Sequence, residues 1–211
     1  ALITVCSLAT RQRPDAMPAP ITVIIPTLNS AATLGPTLSC LFQGVEAGLI
    51  HQLIFADGGS NDEIEHISTD IGAKLITSPQ GRGTQLAAGA KAAKTEWMLF
   101  LHADTTLSPD WLNAARRHIE TTDNAAYFRL RFDNNTLPAK ITAGWANLRS
   151  AVWHLPYGDQ GLLIPAALYH AVGGYPDIPL MEDVAIARAL RKRICQLPAM
   201  ATTSAAKYVE Q

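Results

Sequence analysis

The sequence has few cysteines, little net charge and no long apolar run. Its three cysteines, Cys6, Cys40 and Cys195, are odd in number and widely spaced. They predict neither a disulfide framework nor a zinc site and are better interpreted as buried or incidental thiols. A net charge of −1 provides no broad cationic field for nucleic acid. No stretch reaches the roughly 18 apolar residues of a membrane-spanning helix. We therefore expect a cytoplasmic protein with no transmembrane segment and no nucleic-acid partner.

The composition is that of an ordinary globular domain. Of the 211 residues, 48% are hydrophobic and 17% are charged, which is enough to close a sizeable core. We expect one domain over residues 21–211. Residues 1–20 differ, because their second half is rich in proline, alanine and charge and their start lacks the basic region of a secretory signal. They are predicted to be an N-terminal arm or an expression remnant, with Met17 as a candidate natural start and no role in chemistry.

From Ile21 onwards, short β-branched runs alternate with longer helix-like stretches. This rhythm is typical of βαβ units around a largely parallel sheet, so the predicted fold class is α/β. The run at residues 97–101 is the most apolar and predicts a central strand. The alternation at residues 127–132 predicts that the sheet becomes mixed there. The predicted strands are residues 21–26, 52–56, 74–77, 97–101, 127–132 and 161–164.

The predicted helices follow from apolar spacing and capping residues. Leu34, Leu38, Leu41 and Phe42 share one face of the first helix, with Asn29 or Ser30 as its cap. Further helices are predicted after residue 83, from Ser108 as N-cap and Pro109 as first position, and at residues 139–153, 166–172 and 183–191. Trp145 has amphipathic spacing and is predicted to lie in the core.

Polar residues follow four predicted strands, at residues 27–29, 57–59, 78–82 and 102–104. In open α/β sheets ligands bind beyond the carboxyl ends of the strands, so these segments should converge on one crevice. There Asp57 can accept hydrogen bonds from a nucleotide, Arg82 can pair with phosphate, and Asp104 can hold a hard divalent cation. The simpler alternatives are that Asp57 shapes a turn and that Arg82 is a solvated loop residue.

A second acidic motif, Met181-Glu182-Asp183, opens a predicted helix far downstream. It offers a candidate general base. The alternative is an acidic first turn that is stabilised by the helix macrodipole.

Four motifs in this order and spacing resemble those of the family 2 glycosyltransferases: residues 24–29 (IIPTLN), 56–62 (ADGGSND), 101–104 (LHAD) and 181–183 (MED). The similarity runs from about Ile21 to the C-terminus. Residues 157–161 (YGDQG) together with 180–183 (LMED) resemble a bacterial subgroup of the family. The resemblance implies a GT-A fold with a largely parallel mixed sheet flanked by helices. It also implies a nucleotide-diphosphate sugar donor and inversion at the anomeric carbon by direct displacement.

The resemblance further implies roles for individual residues. Asp183 is the implied base that takes the proton of an acceptor hydroxyl during in-line attack, and Glu182 orients it or touches the acceptor. Asp104 is the implied ligand of Mg²⁺ or Mn²⁺, which neutralises charge on the departing diphosphate. The implied donor-binding residues are Pro26, Thr27, Asn29, Asp57, Gly58, Arg82, His102 and Ala103.

The predicted acceptor side lies around residues 153–160. By the resemblance, Asp159 and Gln160 face the donor sugar or the acceptor, the alternative being a polar turn. Trp153 and Tyr157 are predicted to contact the acceptor because sugar C–H faces pack on aromatic rings. The acceptor is left open between a lipid and a small molecule. With a lipid acceptor, the protein is expected at the inner face of the membrane, approached by residues 197–211.

The sequence departs from the family pattern at three places. His102 stands where the family's metal motif usually carries an acidic residue, so this chain offers one carboxylate there. His102 is interpreted as a contact to ribose or phosphate, or as a structural residue. Ala206, Lys207 and Tyr208 stand where the subgroup usually has two arginines and an aromatic residue, so one phosphate-facing cation is predicted to be lost. Relatives commonly continue beyond Gln211 with a basic or apolar tail.

Two other functions share parts of this pattern. A nucleotidyltransferase would use a similar α/β nucleotide pocket and a metal, but it usually has a glycine-rich, basic loop after its first strand. Residues 25–29 have neither feature. A non-catalytic nucleotide-sugar binding protein is made plausible by His102 and Ala206.

Overall fold

A mixed β-sheet positions the candidate site. The computed structural model describes residues 19–134, 136–178 and 180–204, without the side chain of Pro138. The predictions for residues 1–18 and for Ala206, Lys207 and Tyr208 lie outside the described residues. The described strands are β1 (Ile21–Thr27), β2 (Ile50–Asp57), β3 (Lys74–Thr77), β4 (Trp97–Phe100), β5 (Thr105–Leu107), β6 (Ala125–Phe132), β7 (Leu162–Pro165) and β8 (Ile194–Thr203).

Helices follow most of these strands. The described α-helices are α1 (Leu34–Glu46), α2 (Ile64–Ile71), α3 (Arg82–Ala92), α4 (Trp111–Thr121), α5 (Leu137–Trp153), α6 (Ala166–Ala171) and α7 (Glu182–Leu190). Single 3₁₀ turns lie at Ala31–Thr33 and Gly158–Gln160. Among these helices, none combines the length and apolar character needed to cross a bilayer.

The order of the strands across the sheet is β3-β2-β1-β4-β7-β6-β8-β5. Strands β3, β2, β1 and β4 are parallel neighbours, whereas β7 is antiparallel to β4 and β6. Beyond them β6 pairs parallel with β8, and β8 pairs antiparallel with β5. The predicted α/β class, the central position of β4 and the mixing of the sheet near β6 are confirmed.

Hydrophobic residues on both faces of the sheet make two core layers. Val23 and Ile25 of β1 pack in one cluster with Leu34 of α1 and Trp111 of α4. Ile24, between them, packs in the other cluster with residues of α3, α6 and α7. Because both faces of β1 are covered, its sequence is a continuous apolar run rather than an alternating one.

Helix α5 lies against β6 where β6 extends past its short neighbour β7. Asn147 makes the contact: its Oδ1 accepts the Leu130 N–H at 2.8 Å and its Nδ2 donates to the Leu130 carbonyl at 2.9 Å. The side-chain amide thus satisfies the two main-chain groups that a further strand would pair.

Several local predictions were wrong. The first turn of α4 begins at Trp111 with Asp110 at the N-cap position, and Ser108 instead accepts the Met200 N–H of β8 at 2.8 Å. Phe42 is 47% exposed and does not share the buried face of α1. Trp145 is 63% exposed, so its predicted place in the core is wrong.

The capping prediction for the first helix was also wrong. A 3₁₀ turn precedes α1, and Thr33 is at its N-cap position. Asn29 and Ser30 make no side-chain cap, because they hydrogen-bond within and between loops instead.

Candidate active site

A cleft of about 440 Å³ opens beyond the carboxyl ends of β1 and β4 and beside the start of α3. It is the crevice predicted from strand order. Gln80, Gly81 and Gln85 contribute to its wall beside the predicted residues. The predicted residues that line this main cleft are Pro26, Thr27, Asn29, Arg82, His102, Ala103 and Asp104. The predicted residues Asp57 and Gly58 do not line it, but they contact lining residues, Asp57 through the Thr27 hydroxyl and Gly58 beside Gln85.

The loops after β1 and β2 are joined by side chains. The Asn29 N–H donates to Ser60 Oγ at 2.8 Å, and Asn29 Oδ1 accepts the Asn61 N–H at 2.9 Å. The Ala31 N–H donates to Asp62 Oδ2 at 2.7 Å. Asn29 adopts φ of 50°, a left-handed conformation that asparagine tolerates well. Ser60, Asn61 and Asp62 were part of a recognised motif, but their role in fixing the neighbouring loop was missed.

Asp57 organises this corner of the site. Its Oδ1 accepts from the Thr27 hydroxyl at 2.9 Å and from the Ser60 hydroxyl at 2.5 Å, while Oδ2 accepts the N–H groups of Gly59 and Ser60. Burial by itself raises the pKa of Asp57, but the hydrogen bonds from Ser60, Thr27 and Gly59 together outweigh burial and lower it. The carboxylate is therefore ionised and shapes the turn, as the simpler interpretation had it. Its contact with a donor stays a prediction.

Gln85 was missed by sequence reasoning. Its buried Nε2 donates to the carbonyls of Thr27 and Ala56, both at 2.8 Å, and so ties α3 to β1 and β2. A Cβ on Gly58 would come within 3.1 Å of the Gln85 side chain, so a larger residue there would require Gln85 to shift slightly. The available signal was its spacing, since Gln85 lies about one helical turn after Arg82.

Arg82 links the main cleft to the acidic motif. Its Nε lies 3.7 Å from Glu182 Oε1, and Glu182 is buried while the Arg82 side chain is about half exposed. A Cβ on Gly83 would be 2.4 Å from the Pro176 carbonyl, so α3 packs closely against the segment before α7. Arg82 also lines a second cavity of about 20 Å³ that adjoins Glu182 and Asp183. Arg82 is therefore more than a solvated loop residue, because it contacts Glu182 and lines both cavities.

Asp183 is held at the first turn of α7. Its Oδ2 accepts the Gly158 N–H at 2.7 Å, and its Oδ1 accepts the Val184 N–H at 2.7 Å. On the other side of Gly158 lies His102, whose Nε2 would be 2.7 Å from a Cβ at that position. Nδ1 of His102 is 3.0 Å from Asp159 Oδ1. The structure thus brings His102, Asp159 and Asp183 together around one glycine.

Of the other residues predicted for the acceptor side, one is buried and supports the loop, and two lie nearer the surface. Gln160 is fully buried, accepting from the Ser150 hydroxyl at 2.7 Å and donating to the Phe128 carbonyl at 3.1 Å. It braces the loop from behind. The ring of Tyr157 lies 3.2 Å below the Arg149 guanidinium carbon and lines the small cavity. Trp153 is exposed at the end of α5 and lines neither cavity.

The described residues contain no group of three or more histidine, cysteine or acidic side chains that could hold a metal. Asp104 lines the main cleft, whereas the imidazole of His102 is paired with Asp159. Mg²⁺ is commonly bound by one or two carboxylates together with substrate phosphates and water. A single carboxylate in an open cleft fits an ion of that kind, held jointly with a diphosphate.

Comparison with known proteins is consistent with this geometry. Residues 22–165 match the sequence profile of Glycosyl transferase family 2. Over 113 residues the chain is 30% identical to chondroitin synthase from Escherichia coli, which covers 50% of this chain and 16% of that protein.

Solved structures share the fold. S. aureus TarS 1–349 in complex with UDP-GlcNAc superposes with a TM-score of 0.64 at 17% identity, covering 87% of this chain and 58% of TarS 1–349. Mannosyltransferase PcManGT from Pyrobaculum calidifontis, in complex with GDP-Man and Mn²⁺, gives 0.65 at 18% identity, covering 93% and 61%. Glucosyl-3-phosphoglycerate synthase from Mycobacterium tuberculosis, with Mn²⁺, UDP and glucosyl-3-phosphoglycerate, gives 0.61 at 18% identity, covering 92% and 77%.

The matched profile spans about two thirds of the chain and includes the cleft-forming segments after β1, β2 and β4. The fold is that of the GT-A glycosyltransferases, as the motifs predicted. The chain belongs to Glycosyl transferase family 2.

Proposed function

We propose that the protein is an inverting glycosyltransferase that moves a sugar from a nucleotide-diphosphate donor to an acceptor hydroxyl with the help of a divalent metal. One observation carries the proposal. Arg82 and His102 line both the main cleft and the small cavity, so the cleft adjoins the candidate base Asp183. The family's donor motifs and its downstream acidic motif therefore meet at one place in this chain.

The donor half of the reaction uses the main cleft. The loop after β1, fixed by Asn29, supports the nucleoside, and Arg82 at the start of α3 pairs with the diphosphate. The contact of Arg82 with Glu182 limits the positions of the guanidinium. The Arg82 side chain therefore loses less conformational entropy when the donor binds.

The acceptor half uses Asp183. The acceptor oxygen attacks the anomeric carbon, the bond from that carbon to the diphosphate oxygen breaks, and Asp183 takes the proton of the acceptor hydroxyl. Attack from the side opposite the leaving group inverts the anomeric centre. The hydrogen bonds from Gly158 and Val184 orient the carboxylate for this transfer. Within this proposal, His102 and Asp159 position the loop that carries Gly158.

Asp104 is the residue that would hold Mg²⁺ or Mn²⁺, and the ion would supply positive charge beside the departing diphosphate. The Mn²⁺ present in the mannosyltransferase and synthase structures supports this assignment. UDP, UDP-GlcNAc and GDP-Man in those relatives support a nucleoside diphosphate sugar as donor. We further propose that the reaction takes place in the cytoplasm and, with a lipid acceptor, at the inner face of the membrane.

The experiment that tests the proposal is a ligand screen followed by turnover. Thermal stability is measured with UDP, GDP, dTDP, CMP and ATP, each with Mn²⁺, Mg²⁺ or a chelator. A ligand present at about 100 times its dissociation constant adds roughly 2.7 kcal/mol of stability. A metal-dependent rise with one nucleoside diphosphate supports the donor site and selects the sugar nucleotides for a transfer assay.

Other outcomes would contradict parts of the proposal. A rise that survives chelation would remove Asp104 from the metal site. Binding without transfer over a broad acceptor panel would favour a non-catalytic binding protein. Release of pyrophosphate from a nucleoside triphosphate and a sugar phosphate would favour a nucleotidyltransferase.

A further inference from the structure

The large apolar side chains of helix α5 point away from the sheet rather than towards the core. The face that packs on β6 is small or polar, with Ala139, Ala143 and Ala146 against Leu130 and Phe132. The opposite face forms what we call the outer stripe, in which each side chain is between 54% and 71% exposed. The outer stripe consists of Leu137, Ile141, Trp145, Leu148 and Val152.

The spacing of the outer stripe is helical, with steps of four, four, three and four residues. These steps keep all five side chains on one side of the helix. Scattered exposed apolar residues are normal on a protein surface, but a contiguous apolar row marks an interaction site. Within the part of the chain that the structure describes, β6 covers the packed face of α5 and the outer stripe stays exposed, so a partner can lie along it.

The charge beside the outer stripe is positive. Exposed Arg129 and Arg131 of β6 and exposed Lys140 of α5 line a groove of about 550 Å³, which we call the basic groove. Between Arg129 and Trp153 the sequence has four basic residues and one acidic residue, Asp133, although the whole chain has a net charge of −1. A partner that covers this region needs negative charge beside an apolar surface.

Two segments that flank the proposed acceptor residues in sequence also expose large apolar side chains. Trp153 at the end of α5 is 57% exposed, and Leu180 and Met181, just before α7, are also exposed. The two segments are joined where the Gly158 N–H binds the Asp183 carboxylate.

We propose that the outer stripe and the basic groove are a docking surface for a bilayer that contains anionic lipids. Large apolar residues and tryptophan beside lysine and arginine are the features of helices that lie in the membrane interface. A second copy of the chain fits less well, because residues 129–153 carry four basic residues and one acidic residue, so this face offers little negative charge to a copy of itself. The implication that the acceptor is lipid-linked rests on the proposed function, whereas bilayer binding does not.

Flotation with lipid vesicles tests the docking surface in the absence of any sugar nucleotide. Vesicles of phosphatidylcholine with phosphatidylglycerol should float the protein, and raised salt should weaken the binding. Trp145→Ala should weaken binding roughly tenfold because it removes a large buried apolar area. Lys140→Gln should weaken it about fivefold. Phe42→Ser, which changes an exposed apolar residue of α1, is the matched control and should bind as the unchanged protein does.

Tryptophan quenching by brominated lipids gives a second readout. Of the four tryptophans, Trp97 and Trp111 are buried in the core and Trp145 and Trp153 are exposed. Docking should quench the exposed pair, so Trp145→Ala should lose most of the quenched signal. An unchanged melting temperature and unchanged nucleotide binding in each variant would show that fold and donor site are intact.

Three results would overturn the docking surface. They are failure to float with anionic vesicles at low salt, equal flotation of Trp145→Ala and Phe42→Ser, and a concentration-dependent dimer that Trp145→Ala dissociates. The last result would identify the outer stripe as an interface between copies of this chain. Loss of transfer with vesicle binding intact would count against the proposed function alone.

Discussion

At the scale of single residues, the carboxylate of Asp183 is held by two main-chain N–H groups beside the small cavity. Asp183→Asn preserves the size of the side chain but removes its ability to take a proton. We expect kcat to fall by about 10²–10⁴-fold, the usual contribution of a general base, with nucleotide affinity unchanged. Single-turnover transfer and thermal shift measure the two quantities.

The matched control for Asp183 is Asp110→Asn, which changes an exposed aspartate at the start of α4, away from both cavities. It should retain full turnover. Turnover retained in Asp183→Asn as well would remove Asp183 from the role of base.

Gly158 is confined between His102 and Asp183. A methyl group there would lie 2.7 Å from His102 Nε2, so the loop or the imidazole must shift. We expect Gly158→Ala to cost about 1–3 kcal/mol of stability, as overpacking does, and to lower turnover by displacing Asp183.

A second glycine provides the control. A Cβ on Gly144 in α5 meets nothing within 4 Å, so Gly144→Ala should be neutral or stabilising by up to about 1 kcal/mol. Denaturant unfolding and initial rates of both variants test the comparison. Equal effects at the two positions would contradict a tight contact at Gly158.

The lowered pKa of Asp57 predicts that the free energy of unfolding depends on pH. The pKa of Asp57 is lower in the folded protein, because its hydrogen bonds outweigh the effect of burial. Its contribution is therefore fully present above the unfolded pKa of about 3.9 and is lost as pH falls through the folded pKa. Asp57→Asn should destabilise the protein by about 1–3 kcal/mol at neutral pH and by less in acid.

The measurement for Asp57 is the free energy of unfolding of both proteins from neutral to acidic pH. Asp123→Asn, at an exposed aspartate, should show little effect at any pH. A difference between Asp57→Asn and the unchanged protein that stays constant down to acidic pH would contradict the lowered pKa.

At the scale of secondary-structure elements, Gln85 connects α3 to two strands. Gln85→Leu keeps the volume but leaves the carbonyls of Thr27 and Ala56 without this donor, at a cost of about 1–3 kcal/mol. Because α3 carries Arg82, nucleotide affinity should fall too. Urea unfolding and nucleotide titration measure both effects, with exposed Gln43→Leu of α1 as control. Unchanged affinity would show that α3 is placed by other contacts.

Strands and helices with strong local sequence patterns were predicted well, and those with weak patterns were not. Lys74–Thr77 was predicted with the observed bounds, and Ile21–Thr27 to within one residue, because β-branched runs lie between turn residues. β5 was missed because it has only three residues. β8 was missed because its sequence contains Pro198 and its buried and exposed residues do not alternate regularly. The start of α4 was misplaced because Ser108 is used by β8, a tertiary contact that local capping rules do not include.

The same limit applies to the site. Strand order was enough to bring Thr27, Arg82 and Asp104 to one cleft. The braces Gln85 and Gln160 act through hydrogen bonds to main-chain atoms far away in sequence, and no periodic pattern encodes such partners. Trp145 was misplaced because amphipathic spacing shows that a helix has an apolar side, but not whether that side faces the core.

At the scale of the whole molecule, the sheet has two parts with different tasks. The parallel strands β3, β2, β1 and β4 support the main cleft, and β7, β6, β8 and β5 support the side that carries α5. Hydrogen–deuterium exchange with the selected nucleoside diphosphate should therefore protect residues 27–33, 57–62 and 80–85, because the ligand orders loops at the cleft. Residues 137–153 should exchange unchanged. Protection confined to α5 would place the nucleotide elsewhere.

The pairing of Asn147 with Leu130 also has a consequence for solubility. Where β7 ends, β6 would otherwise present unpaired main-chain groups, and such an edge is a template for strands of other chains. The outer stripe of the same helix adds an apolar surface nearby. Loss of the Asn147 amide would thus expose an unpaired strand edge next to an apolar helix surface. We therefore expect substitutions at Asn147 to cause aggregation before they cause loss of the fold.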